Sequence, residues 1–452
     1  MGRRRASYSV DPMTRGSGVV PRHWWGWVTG WTAVGLGVRV AAVLGRPHRA
    51  PGGDAFFYHG EANLLAAGHG FINPFLYYGM HRPVPTASFP PGFVLVLAAA
   101  SLVGLKSFLA QRLWCCVLGA AAVTVGALAG RRIGGPRAGI IAAALIALHP
   151  NLWMPDELAF SECLTPLLVA AVLLAAYRLR ERGGPWDAAG LGLTVGVAAM
   201  VRDELALLGV LLVVPLTLGT WHRPARARLV SLGAAAAAAV LVVGPWVGYN
   251  LTRFEKPVYI SSGLGVTLAS ANCPPLWSGP QEGYWSQACA TAVAVPAAAD
   301  ESVQAAAYQS AALRFIRSHE SRLVPVVAAR LGRAFGLFHP LQQIRFDARV
   351  ETRPYHWALL GLVSYYGLVI LALGGAALLR SRHQPLWPLV AVGLTVAVSV
   401  VVAFGDTRYR IAFEMALVLS SSVYLDAVWS HRRPRHAADG AGAAPVAMMG
   451  VR

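Results

Sequence analysis

The sequence is poor in charge, and acidic residues are scarcer than basic ones. Only 13% of its 452 residues are Asp, Glu, Lys or Arg, and 56% are hydrophobic. A soluble domain carries about twice that share of charge. The 39 basic residues outnumber the 21 acidic ones, but most lie in short clusters between apolar runs. Because no basic face with interleaved aromatic residues is present, nucleic-acid binding is not expected. The composition predicts a membrane protein.

Cysteine is also scarce, and none of the five cysteines has the spacing of a structural zinc site. Cys115, Cys116 and Cys163 lie in apolar runs and are expected to be small core residues. Cys273 and Cys289 lie in a long segment that we place outside the membrane, where an oxidising compartment permits a disulfide. Two unpaired thiols are the alternative.

Apolar runs long enough to cross a bilayer as helices, roughly 17–25 residues, occur about ten times. The first follows a basic N-terminus but is long and rich in Trp, which predicts an uncleaved span rather than a signal peptide. The predicted spans are residues 24–44, 111–130, 138–154, 159–178, 188–203, 204–220, 228–247, 356–379, 385–404 and 410–429.

The arginine clusters predict the orientation of these spans. Alternate loops and both termini are rich in Arg, which is typical of the cytoplasmic side. The long segments 45–110 and 248–355 then face outward. The apolar stretch 90–105 must dip into the membrane or lie along it. Segment 322–339, with Arg322, Arg330 and Arg333 on one helix face, is expected in the lipid headgroup layer.

These assignments divide the chain into five parts. They are a cytoplasmic tail (1–23), an N-terminal membrane module (24–247), an extracytoplasmic region (248–355), C-terminal membrane helices (356–430) and a tail predicted to be disordered (431–452).

Acidic residues gather at the outer boundaries of the spans, so any chemistry is expected on the outer side. They are Asp54, Glu61, Asp156, Glu157, Glu162, Asp203, Glu204 and Asp406. Arg202, Arg408 and Arg410 lie at the tips of outer loops, where a guanidinium fork could hold a phosphate. Local ion pairs with the neighbouring carboxylates are the alternative.

Asp54 follows Gly52 and Gly53 directly after the first span and begins a short predicted helix. An aspartate in this place can cap the helix. Its other reading is a general base at the membrane surface, beside apolar Phe56 and Phe57. The outer histidines have no clear metal-ligand spacing, so they are interpreted as interfacial residues.

Several short motifs follow one another on the predicted outer side. They are GGD at 52–54, Tyr58-His59, GHGF at 68–71, PPGF at 90–93, the stretch 272–289 and GDTRYR at 405–410. In this order the chain resembles the GT-C superfamily of membrane glycosyltransferases, over residues 24–429. It is most similar to the protein O-mannosyltransferase and aminoarabinose transferase branch of bacteria, in particular actinobacteria.

The resemblance implies an all-α polytopic fold: a bundle of about ten transmembrane helices, outer juxtamembrane helices and an outer loop closed by Cys273 and Cys289. It also implies transfer of a sugar from a polyprenyl-phosphate donor to a glycan, lipid or protein acceptor. The active site would lie on the extracytoplasmic side of the bacterial inner membrane. A divalent metal ion is the one cofactor that stays open.

Site roles follow from the same resemblance. Asp54 is the expected catalytic base, with Glu162 as a second acidic residue and Asp156 or Glu157 as its rivals. Arg202, Arg408 and Arg410 are the expected ligands of the donor phosphate. Tyr58, His59 and Asp406 are further candidates.

One carboxylate base is chemically sufficient, because the phosphate leaving group departs without protonation. We therefore expect inversion at the anomeric carbon, whereas a retaining enzyme needs a second carboxylate as nucleophile. The main alternative function is a transporter or flippase of a lipid-linked sugar. That class predicts an internal repeat and charges near the bilayer midplane, and the sequence has neither. A membrane scaffold and a ligase with a diphosphate-linked donor are weaker alternatives.

Overall fold

The computed structural model describes residues 22–219, 223–296 and 299–431. Most of the two predicted tails lies outside these ranges. Within them the chain is helical, and an isolated bridge between Ile72 and Pro85 is the extent of β-pairing.

Six long helices carry the membrane assignment, and each is long and apolar enough to span a bilayer. They are α1 (Arg22–Leu44), α5 (Phe108–Gly134), α8 (Thr165–Arg182), α11 (Ala225–Arg253), α18 (Tyr355–Ser381) and α20 (Ile411–His431). A seventh span is formed if α6 (Pro136–Leu148) and α7 (Pro150–Leu158), which meet at a bend of 46°, are taken together. The chain is therefore a multi-pass membrane protein.

The other predicted spans are helical but shorter or broken. Helices α9 (Pro185–Val201) and α19 (Trp387–Val402) have 17 and 16 residues, roughly 25 Å against a hydrocarbon core of about 30 Å. The region 204–220 divides into a 3₁₀ turn (Asp203–Ala206), a π-helical turn (Gly209–Val213) and the short α10 (Val214–Leu218). Pro215, which has no N–H to donate, lies at the start of α10.

Small residues let the helices of the bundle approach closely. A Cβ at Gly192 of α9 would overlap the carbonyl of Ala235 in α11, and one at Gly375 of α18 would overlap that of Ser420 in α20. Close backbone approach at such positions is a common source of packing between membrane helices. Helix α5 lies at the centre, in contact with α1, α6, α8 and α20.

The two predicted outer segments form short helices around one end of this bundle. The first holds α2 (Asp54–Ala66), α3 (Pro74–Met80) and α4 (Pro91–Leu102), and α4 is too short to span, as the sequence predicted. The second holds α12 (Leu264–Ala271), α13 (Pro274–Trp277), α14 (Gln287–Thr291), α15 (Glu301–Ser318), α16 (Leu323–Ala334) and α17 (Pro340–Val350). A disulfide joins Cys273 to Cys289, with the Cα atoms 6.0 Å apart.

Helix α16 corrects one sequence prediction. Arg330 and Arg333 are buried (2% and 0% exposed) and do not lie in a headgroup layer. They donate hydrogen bonds to backbone carbonyls, for example Arg330 to Ala271 at 3.0 Å and Arg333 to Pro280 at 3.1 Å. Only Arg322 stays near the surface, paired with Glu282 at 2.7 Å. The carbonyls of the surrounding loops replace water around the two buried guanidiniums.

Candidate active site

Arg408 joins three acidic side chains from distant parts of the sequence. It lies in a 3₁₀ turn (Thr407–Arg410) that leads into α20. Its Nη2 lies 2.9 Å from Asp54 Oδ2, its Nε 2.5 Å from Glu162 Oε1 and its Nη1 3.5 Å from Glu351 Oε1. We call Asp54, Glu162, Arg202, Glu204, Asp347, Glu351, Arg353 and Arg408 the Arg408 cluster.

Asp54 is the first residue of α2 and is preceded by Gly53 in the left-handed region (φ 53°), a conformation that glycine adopts without strain. Within the described residues, its carboxylate accepts a hydrogen bond from Arg408 Nη2 and none from a backbone amide of the helix. A cap is therefore not what its side chain forms. The Asp54 side chain is 33% exposed, whereas those of Glu162 and Glu351 are 1% and 4% exposed.

Glu162 lies in the 3₁₀ turn Ser161–Cys163 between α7 and α8. Its Oε1 lies 2.5 Å from both Arg202 Nη1 and Arg408 Nε. The hydroxyl of Ser161 donates to its other oxygen at 3.3 Å, and Tyr58 of α2 donates in turn to Ser161 at 3.3 Å. Glu162 is thus buried and held from several sides, and Tyr58 ties α2 to this turn.

Arg202 follows α9 and lies between two carboxylates. Its Nη1 reaches Glu162, and its Nε lies 2.5 Å from Glu204. The local ion pair with Glu204, which was the alternative to phosphate binding, is present, and Arg202 also contacts Glu162. Tyr409 lies under the guanidinium, with its ring centroid 5.6 Å away.

Three charged residues of the cluster were missed by the sequence interpretation. Glu351 Oε2 lies 2.5 Å from Arg353 Nη2. Arg353 also donates to Thr407 Oγ1 at 3.1 Å, and Thr407 donates to Asp347 at 2.6 Å. The rule that selected acids at outer boundaries of spans applies to Glu351, which lies between α17 and α18, and less directly to Asp347, which lies in the last turn of α17. Both lie in the predicted outer segment 248–355, in which the sequence interpretation selected no charged residue as a site candidate.

Asp406 supports the turn that carries Arg408. It is fully buried, and its Oδ1 accepts a hydrogen bond from the backbone N–H of Arg408 at 3.0 Å. Burial and, second, the nearby carboxylate of Asp347 raise the pKa of Asp406 to about 6, against the opposing effect of Arg353. Burial likewise raises the pKa of Glu351 to about 7, against the opposing effect of Arg353.

Four other predicted site residues lie outside the Arg408 cluster. Asp156 is fully buried and pairs with Arg39 at 2.7 Å. His59 Nδ1 lies 2.8 Å from Gln111 Oε1, on the side of α2 that faces α5. Arg410 is 2% exposed, and its Nε is 2.6 Å from Glu414.

Glu157 pairs with a separate set of arginines, of which Arg49 is nearest at 3.0 Å. None of these four contacts Asp54 or Arg408 within the part of the chain that the structure describes. The rival role of Asp156 or Glu157 beside Asp54, and that of Arg410 as a phosphate ligand, stay predictions without a contact to the cluster.

The described residues offer a divalent metal ion no ready-made site. No group of three His, Cys, Asp or Glu side chains within the described ranges is arranged to hold one. Asp54 and Glu162 both face the guanidinium of Arg408 instead of a shared space between them. A metal ion at this place would therefore meet a fixed positive charge.

The comparisons with known proteins agree with this architecture. The family model described as dolichyl-phosphate-mannose-protein mannosyltransferase matches residues 88–249. A search of the curated proteins found no match.

Among solved structures, the fold is similar to that of the oligosaccharyltransferase from Archaeoglobus fulgidus in the apo form. The TM-score is 0.52 at 14% identity, over 90% of this chain and 51% of that one. The oligosaccharyltransferase AglB from Archaeoglobus fulgidus, in complex with an inhibitory peptide and a dolichol-phosphate, matches with TM-score 0.52 and 14% identity, over 91% and 51% of the two chains. ArnT from Cupriavidus metallidurans bound to undecaprenyl phosphate gives 0.43 at 17% identity, over 90% and 79%.

The chain spans about half the length of the archaeal enzyme, so the shared part is the fold of the membrane bundle and its adjoining helices. That likeness and the family match over 88–249 confirm the resemblance drawn from the sequence. Over residues 88–249 the chain thus resembles the dolichyl-phosphate-mannose-protein mannosyltransferases, and its fold is similar to that of a membrane-bound oligosaccharyltransferase.

Proposed function

We propose that the protein transfers a sugar from a polyprenyl-phosphate donor to a hydroxyl group of an acceptor, with Asp54 as general base. One observation carries the proposal. Asp54 is the most exposed carboxylate of the cluster, with a side chain 33% exposed against 19% for Glu204 and 4% or less for the others, and it lies 2.9 Å from the guanidinium of Arg408. A base and a fixed positive charge thus lie side by side at the surface of the cluster.

Exposure decides which carboxylate can act on an acceptor. A general base must come within hydrogen-bond distance of the proton that it removes. Glu162 is 1% exposed, and one of its oxygens is already shared by two arginines. Asp54 can reach an incoming hydroxyl, whereas Glu162 orients Arg202 and Arg408.

The same contacts favour a single displacement. In the proposed step, the acceptor oxygen bonds to the anomeric carbon as the bond from that carbon to the phosphate oxygen breaks. Asp54 takes the proton of the acceptor, and the phosphate leaves as a monoester. A two-step retaining mechanism needs a second free carboxylate as nucleophile. Glu162, the nearest candidate, is held by two guanidiniums and by Ser161.

Arg408 and Arg202 serve the donor side of this proposal. Negative charge develops on the leaving oxygen, and a preorganised guanidinium next to the reacting centre stabilises it. Arg408 is the cation beside Asp54 and takes this position, with Arg202 next to it across Glu162. Arg410 is bonded to Glu414 and has no part in the proposed step.

The identity of the donor rests on the relatives. The matching family model is described by a dolichyl-phosphate-linked mannose donor, and one similar structure holds a dolichol-phosphate. We extend this chemistry to a polyprenyl-phosphate sugar, with a glycan, a lipid or a protein as acceptor. The predicted sidedness puts the reaction on the extracytoplasmic face of the bacterial inner membrane.

The test is transferase activity of Asp54→Asn in membranes supplied with labelled polyprenyl-phosphate sugars. The variant keeps the shape and a hydrogen-bond acceptor for Arg408 but cannot take a proton. We expect a loss on the order of a hundredfold or more. Asp187→Asn is the matched control, because Asp187 also pairs with an arginine, Arg178 at 2.7 Å, in another part of the protein.

Full activity of Asp54→Asn would remove Asp54 from the mechanism. If the wild-type protein transfers none of the sugars offered, transport of a lipid-linked sugar becomes the reading to test, by release of the label across sealed vesicles.

A further inference from the structure

A second group of charges lies beside the Arg408 cluster. Glu157, near the end of α7, is surrounded by three arginines. We call these three arginines, Arg46, Arg49 and Arg112, the Glu157 triad. Arg49 Nη1 lies 3.0 Å from Glu157 Oε1, Arg46 Nη1 lies 3.6 Å away and Arg112 Nη2 lies 3.9 Å away. Among the residues that the structure describes, no other carboxylate pairs with these arginines. One negative charge therefore faces three positive ones.

In the Arg408 cluster, by contrast, negatively charged side chains outnumber positively charged ones. Its three arginines, Arg202, Arg353 and Arg408, pair with five carboxylates. The five are Asp54, Glu162, Glu204, Asp347 and Glu351. Charges in a partly buried site are screened little by salt. An anion is therefore attracted more strongly to the Glu157 triad than to the arginines of the cluster.

The two groups of charges adjoin each other through Arg49. Its Nη2 donates to the carbonyls of Glu351 at 3.3 Å and Thr352 at 3.1 Å. The side chain of Glu351 in turn lies 3.5 Å from Arg408. Glu351 thus connects Arg49 of the triad to Arg408, the arginine next to Asp54.

The loop that carries Arg46 and Arg49 is held by hydrogen bonds from Arg112 and has open space beside its two glycines. Arg112 is fully buried and donates to the carbonyl of Arg46 at 2.8 Å and to that of Glu157 at 2.7 Å. Among the described residues, apart from the adjoining ones in the chain, none lies within 4 Å of a Cβ built at Gly52 or Gly53. A ligand can therefore approach along the loop between Arg49 and Asp54.

The side chains of Arg46 and Arg49 differ in solvent exposure, and so in how accessible they are to a ligand. The Arg46 side chain is 45% exposed, and its contact with Glu157 is long, whereas Arg49 is 13% exposed. Burial lowers the pKa of Arg49, Glu157 opposes this and Arg46 adds to it. An anion between the two arginines would relieve their mutual repulsion.

We infer that the Glu157 triad binds the phosphate of the lipid donor, with Arg46 and Arg49 at its non-bridging oxygens and Arg408 at the leaving oxygen. The inference rests on the proposed function and deepens it, because it names residues that recognise the phosphate ester of a membrane lipid. It also gives Glu157 a role, which is to hold the mutually repelling arginines together until the phosphate arrives.

The experiment measures binding of farnesyl phosphate and of farnesol to the purified full-length protein in detergent, followed by tryptophan fluorescence. The variants are Arg46→Gln, Arg49→Gln and Arg49→Lys. Arg322→Gln is the matched control, because Arg322 is 44% exposed, pairs with a glutamate at 2.7 Å and lies outside both groups of charges. Arg46→Gln changes an exposed side chain and is expected to fold, which a thermal melt checks.

We expect Arg46→Gln and Arg49→Gln to weaken farnesyl phosphate binding by about ten- to a hundredfold each, the effect of losing one charged hydrogen bond. Arg49→Lys should lose less, and farnesol binding should not change in any variant. Inorganic phosphate that competes in the wild type and fails to compete in Arg46→Gln would support recognition of the phosphate group itself.

Two results would overturn the inference. Wild-type affinity of both glutamine variants for farnesyl phosphate would place the phosphate elsewhere, and the proposed function would stand. If vesicles containing phosphatidylglycerol competed with farnesyl phosphate as well as inorganic phosphate does, the triad would be a site for lipid headgroups in general. A wild-type protein that binds farnesol as well as farnesyl phosphate would instead contradict the proposed function, which is a separate outcome.

Discussion

The carboxylates of the Arg408 cluster differ in burial, and this has a consequence for stability. Burial raises the pKa of Asp406 from 3.8 to about 6 and that of Glu351 from 4.5 to about 7. Both groups therefore bind protons more tightly in the folded state than in the unfolded state. Stability must then fall as the pH rises from about 4 to about 7, because the folded state gives up protons that it held favourably.

Asp406→Asn tests this pH dependence. The amide keeps an oxygen for the backbone N–H of Arg408, which Asp406 accepts at 3.0 Å, but carries no charge at any pH. We expect the fall in melting temperature between pH 5 and pH 8 to be smaller in the variant than in the wild type. The free-energy difference over this pH range should be on the order of 1 kcal/mol, because only the part of the shift between pH 5 and about 6 falls within it. Parallel melting curves for the two proteins across this range would contradict the assigned shift.

At the scale of residues, the sequence identified several side chains of the cluster but did not show which residues each of them contacts. Asp54, Glu162, Arg202 and Arg408 were chosen because they lie at one end of the predicted spans, and the structure brings them into contact. Arg410 is one helical turn from Glu414, and the two form an i,i+4 pair. Sequence position alone could not tell whether Arg410 faces this glutamate or the outer surface.

At the scale of elements, the cluster depends on helix ends and on the turns between helices. Its parts come from the start of α2, the turn before α8, the residues just after α9, the end of α17 with the segment that follows it, and the turn before α20. Two nearby residues without glycine's freedom adopt left-handed backbone, Ala159 (φ 52°) and Thr352 (φ 56°). Span periodicity locates helix ends to within a few residues, but it does not give the shape of such turns.

The disulfide of the second outer segment is an element whose contribution can be measured. Cys273 and Cys289 are 16 residues apart and close a loop around Leu276 and Trp277, which are buried. Loop-closure entropy gives a stabilisation of about 3 kcal/mol for a loop of this length. We expect dithiothreitol to lower the melting temperature of the wild-type protein and to leave that of Cys273→Ser/Cys289→Ser unchanged. No effect of the reductant on a wild type shown to be reduced would mean that the bond is not needed for stability.

At the scale of the whole molecule, the fold and the number of membrane crossings follow from different features. Composition and apolar runs predicted an all-helical membrane protein, and the structure confirms it. Ten apolar regions were predicted, yet only six single helices in the described part of the chain meet the length and hydropathy of a span. Shorter helices such as α9 and α19 pack against longer neighbours, and a hydropathy pattern does not distinguish such helices from complete crossings.

The sidedness of the proposed active site is the last prediction, and it follows from arginine distribution. Ser278, in the second outer segment, is exposed, and Trp186, at the start of α9 on the predicted cytoplasmic side, is 87% exposed. We expect Ser278→Cys to react with a membrane-impermeant maleimide in intact cells and Trp186→Cys to react only after lysis. Cys115, Cys116 and Cys163 are buried and provide a low background. Labelling of Trp186→Cys but not of Ser278→Cys in intact cells would show that the topology is the reverse of the predicted one. The Arg408 cluster, which lies at the same end of the bundle as the outer segments, would then face the cytoplasm, and a donor presented outside could not reach Asp54.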